Sequence, residues 1–248
     1  MPKFFISKNQ IDGEIISIFG EDAHHISRSL RMTVGESIIV SDEDALEYDC
    51  VLESFLDGCV KARIVDKKKS VAESCVRVHL YQALPKGEKL DLIIQKSVEC
   101  GAFDVTPFES ERCIAKAKGD NESRKTERRS KIALEAAKQC GRGIIPAIHP
   151  TINFKQMLEE AMHSDVCLFC YEGERTAPLG KVLKKLRTEK QIHDISIIIG
   201  SEGGFSPSEA NLAKEAGAIM IGLGKRILRA ETAAILALSC LVYEFELT

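Results

Sequence analysis

The sequence lacks the features that mark membrane-spanning, exported and strongly cationic proteins. Its longest strongly apolar stretch, residues 233–243, has 11 residues, well short of the roughly 20 that span a bilayer. The apolar residues 4–6 are followed at once by the polar residues 7–10, so no secretory signal is predicted. The formal net charge is only −3, and binding of nucleic acid would therefore need a local cluster of cations. We expect a cytoplasmic protein with no membrane partner.

The nine cysteines lack the pattern of a disulfide framework or a zinc site. Their number is odd, and the single C-x-x-C, Cys167 to Cys170, has no second pair at zinc spacing. One interpretation is a metal or redox pair. The other, favoured by the apolar surroundings, is small buried thiols in a reducing compartment. We therefore predict no metal site.

Two regions with different patterns divide the chain. Short strand-like segments with polar turns predict a small β-barrel or sandwich over residues 1–70, with a helical piece around residues 21–30. The charged residues 66–70 are interpreted as a linker. Over residues 71–248, apolar strands alternate with helices, and runs without polar alternation indicate a parallel sheet covered on both faces. The predicted fold class is α/β, preceded by a small β domain.

The elements predicted in the second region can be stated individually. The strands are residues 76–83, 103–106, 166–171, 195–199 and 219–223, and the helices are residues 91–100, 127–140, 177–186, 207–216 and 231–245.

A glycine-rich loop follows one of these strands. Residues 200–205 contain Gly200, Gly203 and Gly204, and then Ser206 and Glu209 have the spacing of a capping box around Pro207 at the first helical position. Glycines at the carboxyl end of a buried strand let the backbone approach a ligand. The loop fits neither the dinucleotide fingerprint nor the P-loop. It could cradle a ligand or simply connect a strand to a helix.

A second loop, residues 223–229, also follows a strand and leads into the last helix. It contains Gly224 and several cations, and Glu231 falls in the first helical turn, where an acidic side chain complements the helix dipole. For Arg229 the simplest interpretation is a salt bridge or a contact at the helix end.

Together the loops at residues 200–206 and 223–233 resemble the two cofactor motifs of SPOUT RNA methyltransferases. They are most similar to those of the bacterial family that methylates N3 of a uridine in 16S ribosomal RNA. Residues 83–101, 109–112 and 135–142 resemble further parts of that family, and residues 24–36 resemble the start of its PUA-like RNA-binding domain. The similarity covers nearly the whole chain, with one departure, Ser201, where the family usually has proline.

The resemblance implies a SPOUT-type trefoil-knotted α/β domain over residues 71–248, preceded by a PUA-like β-barrel RNA-binding domain over residues 1–70. It also implies S-adenosyl-L-methionine as cofactor, a homodimer, and 16S rRNA within the small ribosomal subunit as partner. The final helix is apolar nearly all round, which indicates burial on several sides, by a partner or within one subunit.

Site residues follow from the same resemblance. The cofactor-binding set is Tyr171, Gly200, Ser201, Glu202, Gly203, Gly204, Leu223, Gly224, Ile227 and Leu228. Uracil N3 carries a proton at neutral pH, so transfer needs a general base or a cation that stabilises the uracil anion. Arg229 is the predicted cation and Glu202 or Glu231 the predicted base, unless these carboxylates only anchor backbone.

A cationic segment is the predicted RNA surface. Residues 112–131 hold eight cations and three acids around a central loop, 119–123, that we expect to be mobile. Such a segment suits phosphate contacts, although it could also be a solvated loop before a helix. The predicted RNA-binding residues are Arg28, Arg31, Arg112, Lys116, Arg124, Lys125, Arg128 and Arg142.

Three other functions compete with this hypothesis. A SPOUT enzyme could methylate a ribose 2′-OH, and a non-catalytic ribosome-assembly factor could keep the fold without turnover. An enzyme that binds nucleotide phosphates is disfavoured, because the loop lacks a Lys-Ser/Thr pair.

Overall fold

A computed structural model of the chain describes residues 1–116, 122–173, 176–189 and 191–248. The chain forms two compact units. One comprises residues 1–73 and 137–145, and the other comprises residues 74–136 and 146–248. Most of the central loop that we expected to be mobile, residues 119–121, lies outside the described residues.

The first unit is built on a six-stranded sheet in the order β1-β4-β5-β6-β3-β2. Its strands are β1 (Lys3–Phe5), β2 (Ile11–Asp12), β3 (Ile15–Phe19), β4 (Ser37–Ser41), β5 (Leu46–Leu56) and β6 (Cys59–Lys69), and helix α1 (Gly20–His24) continues into a π-helical turn over His25–Ser29. Only β1 and β4 pair in parallel. Alternate residues of β3, Ile16 and Ile18, are buried with Phe4 in one apolar core, as expected for a sheet with one covered face.

Residues 66–69 belong to strand β6, so the interpretation of residues 66–70 as a linker is wrong. Lys67 pairs with Tyr48 and Lys68 with Glu47 across the hairpin. The lysines are tolerated because this end of the strand is exposed. Lys68 forms an ion pair with Asp49 at 2.7 Å.

The segment after residue 136 packs in the first unit, which the sequence did not predict. Lys138 forms an ion pair with Asp22 at 2.6 Å, and Lys3 Nζ donates a hydrogen bond to the carbonyl of Gly141 at 3.0 Å. The end of the longest helix therefore belongs to the N-terminal unit.

The second unit is an eight-stranded parallel sheet with helices. The sheet order is β10-β8-β7-β13-β11-β14-β12, and β9 also pairs with β8. The strands are β7 (Arg77–Ala83), β8 (Asp104–Glu109), β9 (Ala147–Ile148), β10 (Ile152–Asn153), β11 (Val166–Cys170), β12 (Ala177–Pro178), β13 (Asp194–Ile199) and β14 (Ile219–Gly222). The helices are α2 (Lys89–Glu99), α3 (Glu122–Cys140), α4 (Phe154–Ala161), α5 (Leu179–Glu189), α6 (Pro207–Glu215) and α7 (Ala230–Glu246); α3 is the helix whose end, from residue 137, belongs to the first unit.

The apolar strands explain this arrangement. Residues 195–199 of β13 are all buried, because a central parallel strand has no face in contact with water. The parallel α/β sheet is thus confirmed, although α4 and the two-residue strands were not predicted. Cys167 and Cys170 lie in β11 as free thiols, and burial raises the pKa of Cys167 to about 12.

The described residues contain neither a group of metal-ligand side chains nor a helix that could span a bilayer. Within those ranges no three His, Cys, Asp or Glu side chains are grouped as metal ligands. None of the helices seen there has the length and apolarity needed to cross a bilayer.

Candidate active site

A cavity of about 610 Å³ opens beside the carboxyl ends of β11, β13 and β14. This edge of an open α/β sheet is where such folds bind ligands, because the strand-to-helix loops leave a crevice there. The walls come from residues 170–173 and 176 after β11, residues 199–205 after β13, and residues 221–228 after β14. Arg112, Ala230 and Ala233 complete the lining.

The loop after β13 needs its glycines. A Cβ on Gly203 would lie 3.0 Å from Arg112 Cβ and 3.1 Å from the Arg112 carbonyl oxygen. Gly204 has φ +62°, a left-handed conformation that glycine adopts without strain, and its N–H donates to the carbonyl of Ser201 at 2.9 Å. Phe205 then anchors the loop, since its buried ring lies 4.3 Å from the ring of Phe169.

The predicted capping box at the start of α6 is confirmed. Ser206 Oγ accepts from the N–H of Glu209 at 3.2 Å, and Glu209 Oε2 accepts from the N–H of Ser206 at 2.9 Å. The second oxygen, Glu209 Oε1, accepts from the N–H of Glu111 at 2.7 Å. The carboxylate of Glu209 therefore connects the end of the loop at residues 200–205 to the turn after β8.

The second loop and the residues before it are shaped by a close approach at one glycine and a left-handed conformation at another. Gly222 leaves only 2.9 Å between the position of a Cβ and Thr176 Oγ1, and Gly224 has φ +107°. The N–H of Tyr171 donates to the carbonyl of Ile221 at 3.0 Å. Helix α7 then begins with Arg229 as its N-cap residue.

Lys89 at the start of α2 connects the first loop to α7. Its ammonium donates to Glu202 and lies 4.0 Å from Glu231, while the N–H of Lys86 donates to Glu202 at 3.3 Å. Burial alone would raise the pKa of Glu202, but these hydrogen bonds hold it below its usual value. Glu202 is therefore a stable carboxylate. By contrast, one carboxylate oxygen of Glu231 is buried and has no hydrogen-bond partner among the described residues.

All ten residues predicted to bind the cofactor line the cavity. Of the three predicted catalytic residues, Glu202 lines it, whereas Arg229 and Glu231 are outside the lining. Arg229 is exposed and Glu231 half-buried. Thr176 also lines the cavity but was not predicted as a site residue. Its Oγ1 donates to the carbonyl of Gly173 at 3.1 Å. Nothing in the sequence around Thr176 marks it as part of a site.

The predicted RNA-binding cations are spread over both units. Arg28 and Arg31 are exposed in the first unit, and Arg124 and Arg128 are exposed on α3. Lys125 on the same helix is half-buried. Arg128 forms an ion pair with Asp91 at 2.6 Å and Lys116 with Glu109 at 3.4 Å. Arg112 is exposed and lines the cavity.

The RNA contact expected of Arg142 is corrected by the structure. Its side chain is buried, 4% exposed, and its Nη2 lies 2.7 Å from Glu73 Oε2. A guanidinium buried in an ion pair cannot reach a phosphate without breaking that pair. Arg142 is therefore part of the buried interior of the first unit and not of the predicted RNA-binding surface.

Comparison with known proteins identifies the family. Residues 72–242 match the model of an RNA methyltransferase domain, and residues 19–54 match that of an RNA methyltransferase PUA domain. The chain is 34% identical over 251 residues to ribosomal RNA small subunit methyltransferase E of Bacillus subtilis, covering 100% of this chain and 98% of the relative. The chain belongs to this RNA methyltransferase family.

Other members of the family support the same assignment. Ribosomal RNA small subunit methyltransferase E of Buchnera aphidicola subsp. Acyrthosiphon pisum is 31% identical, with 97% of this chain and 92% of the relative covered. The crystal structure of the Neisseria gonorrhoeae methyltransferase E bound to S-adenosyl methionine superposes with a TM-score of 0.85 at 28% identity, covering 98% and 97% of the two chains. The resemblance to this family, the α/β fold and the assignment as an RNA methyltransferase are confirmed.

Proposed function

We propose that this chain transfers a methyl group from S-adenosylmethionine to N3 of a uridine in the 16S RNA of the small ribosomal subunit. The observation that carries the proposal is the cavity after β11, β13 and β14, whose lining includes all ten predicted cofactor-binding residues. The names of the relatives support small-subunit rRNA as the substrate. The resemblance of the two loops to the N3-methylating family supports the position on uracil.

The cavity residues fit a cofactor with a nucleoside and an amino-acid part. The hydroxyl of Ser201 is buried without a hydrogen-bond partner among the described residues, as expected of a group that a polar ligand would satisfy. Gly204 and Gly224 line the cavity with no atom within 4 Å of the position of a Cβ, so a ligand can approach their main chain closely. Main-chain groups of residues 200–204, 223–224 and 227–228, with Tyr171, would hold the cofactor.

The protein's part in the reaction is alignment and charge stabilisation. Bound S-adenosylmethionine supplies an electrophilic methyl group on a sulfonium. The two glycine-rich loops position it against uracil N3 and exclude water. The pairing of Glu202 with Lys89 favours an anchoring role for this carboxylate over that of a general base. Glu231 and Arg229 stay candidates for base and cation.

The wider assembly is part of the same proposal. The cations that would contact RNA phosphates are Arg28, Arg31, Arg112, Lys116, Arg124, Lys125 and Arg128.

A homodimer is supported by α7, where Leu236 and Tyr243 are 38% and 60% exposed, and by a neighbouring apolar cavity of about 490 Å³ between α5 and α7. The trefoil knot, the PUA-like role of the first unit and a cytoplasmic location also stay predictions.

Product analysis tests the proposal. The protein would be incubated with radiolabelled S-adenosylmethionine and unmodified small ribosomal subunits, with free 16S RNA in parallel, and the RNA digested to nucleosides. We expect label in 3-methyluridine. Label in a 2′-O-methyl nucleoside would instead assign ribose methylation. Cofactor binding by calorimetry without any label would contradict this substrate, and absence of binding would indicate a factor without turnover.

A further inference from the structure

Arg112 lies where the predicted RNA surface meets the cavity. The eight cations predicted to bind RNA all fall within the described residues, and Arg112 is the one that lines the cavity. Its side chain is exposed, so it can face a substrate. An RNA-binding cation in the wall of the cofactor cavity can act on the base being modified as well as on the backbone.

The position of Arg112 is fixed against the first glycine-rich loop. Its Nη1 donates to the carbonyl of Gly203 at 3.2 Å, and its Cβ lies only 3.0 Å from the position of a Gly203 Cβ. The preceding residue, Glu111, donates its N–H to the buried Glu209. A guanidinium has five N–H donors. Among the described residues, the Gly203 carbonyl is the single acceptor seen for this one.

Other cations near the cavity are held less firmly. Lys225 and Arg226 line it and are exposed, as Arg112 is, but within the described ranges no hydrogen bond or ion pair fixes either side chain. Arg229 is exposed and outside the lining. Preorganised charge stabilises a transition state better than charge that must be brought into place. Arg112 is the best placed of these cations.

We propose that Arg112 is a catalytic residue whose guanidinium stabilises the negative charge that develops on the uracil ring. This rests on the proposed function. The uracil N3–H bond breaks and its proton passes to the general base, for which Glu231 is the candidate. The electron pair left on N3 forms the bond to the methyl carbon, while the carbon–sulfur bond breaks and its pair stays on sulfur. Arg112 donates to a uracil carbonyl oxygen, which carries the charge after the proton has left.

The test compares two substitutions that separate charge from hydrogen bonding. Arg112→Gln removes the charge but keeps an amide N–H that can donate to Gly203, and Arg112→Lys keeps the charge. Lys214→Gln, an equal loss of charge at an exposed position on α6, is the control. For each variant kcat and KM for the RNA are measured across pH, and the affinity for S-adenosylmethionine is measured by calorimetry.

We expect Arg112→Gln to lower kcat about 100-fold at neutral pH, the effect of removing one preorganised donor to a developing anion. Cofactor affinity should change by less than about threefold, since the contact with Gly203 can persist. The loss of kcat should shrink as the pH approaches the pKa of uracil N3–H, because the substrate then ionises without help. Arg112→Lys should keep more activity than Arg112→Gln, and Lys214→Gln should match the wild type.

Several results would overturn the assignment. A raised KM with unchanged kcat would make Arg112 a phosphate contact, and a loss of kcat that is equal at every pH would make it structural. If Arg112→Gln folds poorly or loses the cofactor, Arg112→Lys takes its place in the test. A loss of kcat in Arg112→Lys that is as large as the one expected for Arg112→Gln, and equal at every pH, would then overturn the assignment. A wild-type reaction without 3-methyluridine overturns the proposed function along with this role.

Discussion

Glu209 accepts a hydrogen bond from the main-chain N–H of Glu111 at 2.7 Å, although the two residues are 98 positions apart. The same carboxylate closes the capping box of α6 through the N–H of Ser206. Glu209 is 5% exposed and its bond to Ser206 is buried, so without this carboxylate the N–H of Ser206 would be left where water hardly reaches it. The helix start and the turn that carries Arg112 therefore depend on one side chain.

Glu209→Ala should lower the free energy of unfolding by about 2 kcal/mol, because a cap is lost and a buried N–H is left unpaired. Urea unfolding measures this change. Calorimetry should also show weaker binding of S-adenosylmethionine, since the loop before α6 loses its anchor. Glu215→Ala, at the exposed end of α6, is the control and should change stability by less than about 0.5 kcal/mol. Equal effects of the two substitutions would contradict the role of Glu209.

Two glycine-to-alanine substitutions should have opposite effects. Gly203→Ala places a Cβ 3.0 Å from Arg112 Cβ, so the loop must shift, and we expect a loss of about 1–3 kcal/mol and weaker cofactor binding. Gly180 in α5 has open space around a Cβ and no left-handed φ. Gly180→Ala should therefore stabilise the protein by about 0.5–1 kcal/mol. Thermal unfolding of both variants, with calorimetry for the first, checks the contrast.

Local sequence signals predicted much of the second unit. The mostly apolar runs of β11 and β13, the Ser206–Glu209 box and the glycines after two strands depend on neighbours within a few residues. The residues predicted to bind the cofactor, which lie after these strands, line the cavity. Helix α4 also had such a signal that was missed. Asn153 and Gln156 form a capping box at its start.

Other features depend on partners distant in the chain, and no local pattern shows them. From the sequence, the lysines of residues 67–69 are interpreted as part of a linker, but they continue a hairpin whose register is set by strand β5. Arg142 read as a surface cation because its partner, Glu73, is 69 positions away. The contact between Arg112 and Gly203 spans 91 positions. Burial and pairing of such residues follow from the tertiary fold alone.

Removal of Glu73 should be costly for the first unit. Glu73 pairs with the buried guanidinium of Arg142 and accepts from the N–H of Gly143 at 2.6 Å. Glu73→Ala removes the carboxylate that is paired with this buried guanidinium, and breaking a buried pair costs about 3–5 kcal/mol. Glu53→Ala removes the exposed partner of Arg63, and a surface pair of this kind is worth at most about 1 kcal/mol. The loss in free energy of unfolding, measured with urea, should be severalfold larger for Glu73→Ala than for Glu53→Ala. Similar losses would contradict a structural role for the pair of Glu73 and Arg142.

His79 bridges two carboxylates near the amino ends of the parallel strands. Its Nδ1 lies 2.9 Å from Asp104 and its Nε2 lies 3.0 Å from Asp194. Both nitrogens can donate only when the ring is protonated, and the hydrogen bond to Asp104 above all raises the pKa of His79. Burial alone would raise the pKa of both aspartates, but His149 and His79 lower that of Asp104, and Arg77 and His79 lower that of Asp194.

The stability that His79 contributes should therefore depend on pH. Because its pKa is raised on folding, the contribution is complete below its ordinary pKa of about 6.5 and is lost as the pH rises through the raised value. The difference in free energy of unfolding between wild type and His79→Gln should be largest near about pH 5.5, where the aspartates are still ionised, and should shrink at alkaline pH. His163→Gln, at an exposed position, should show no such trend in urea unfolding. A difference for His79→Gln that grows with pH would contradict this role, because it would mean that folding lowers the pKa of His79.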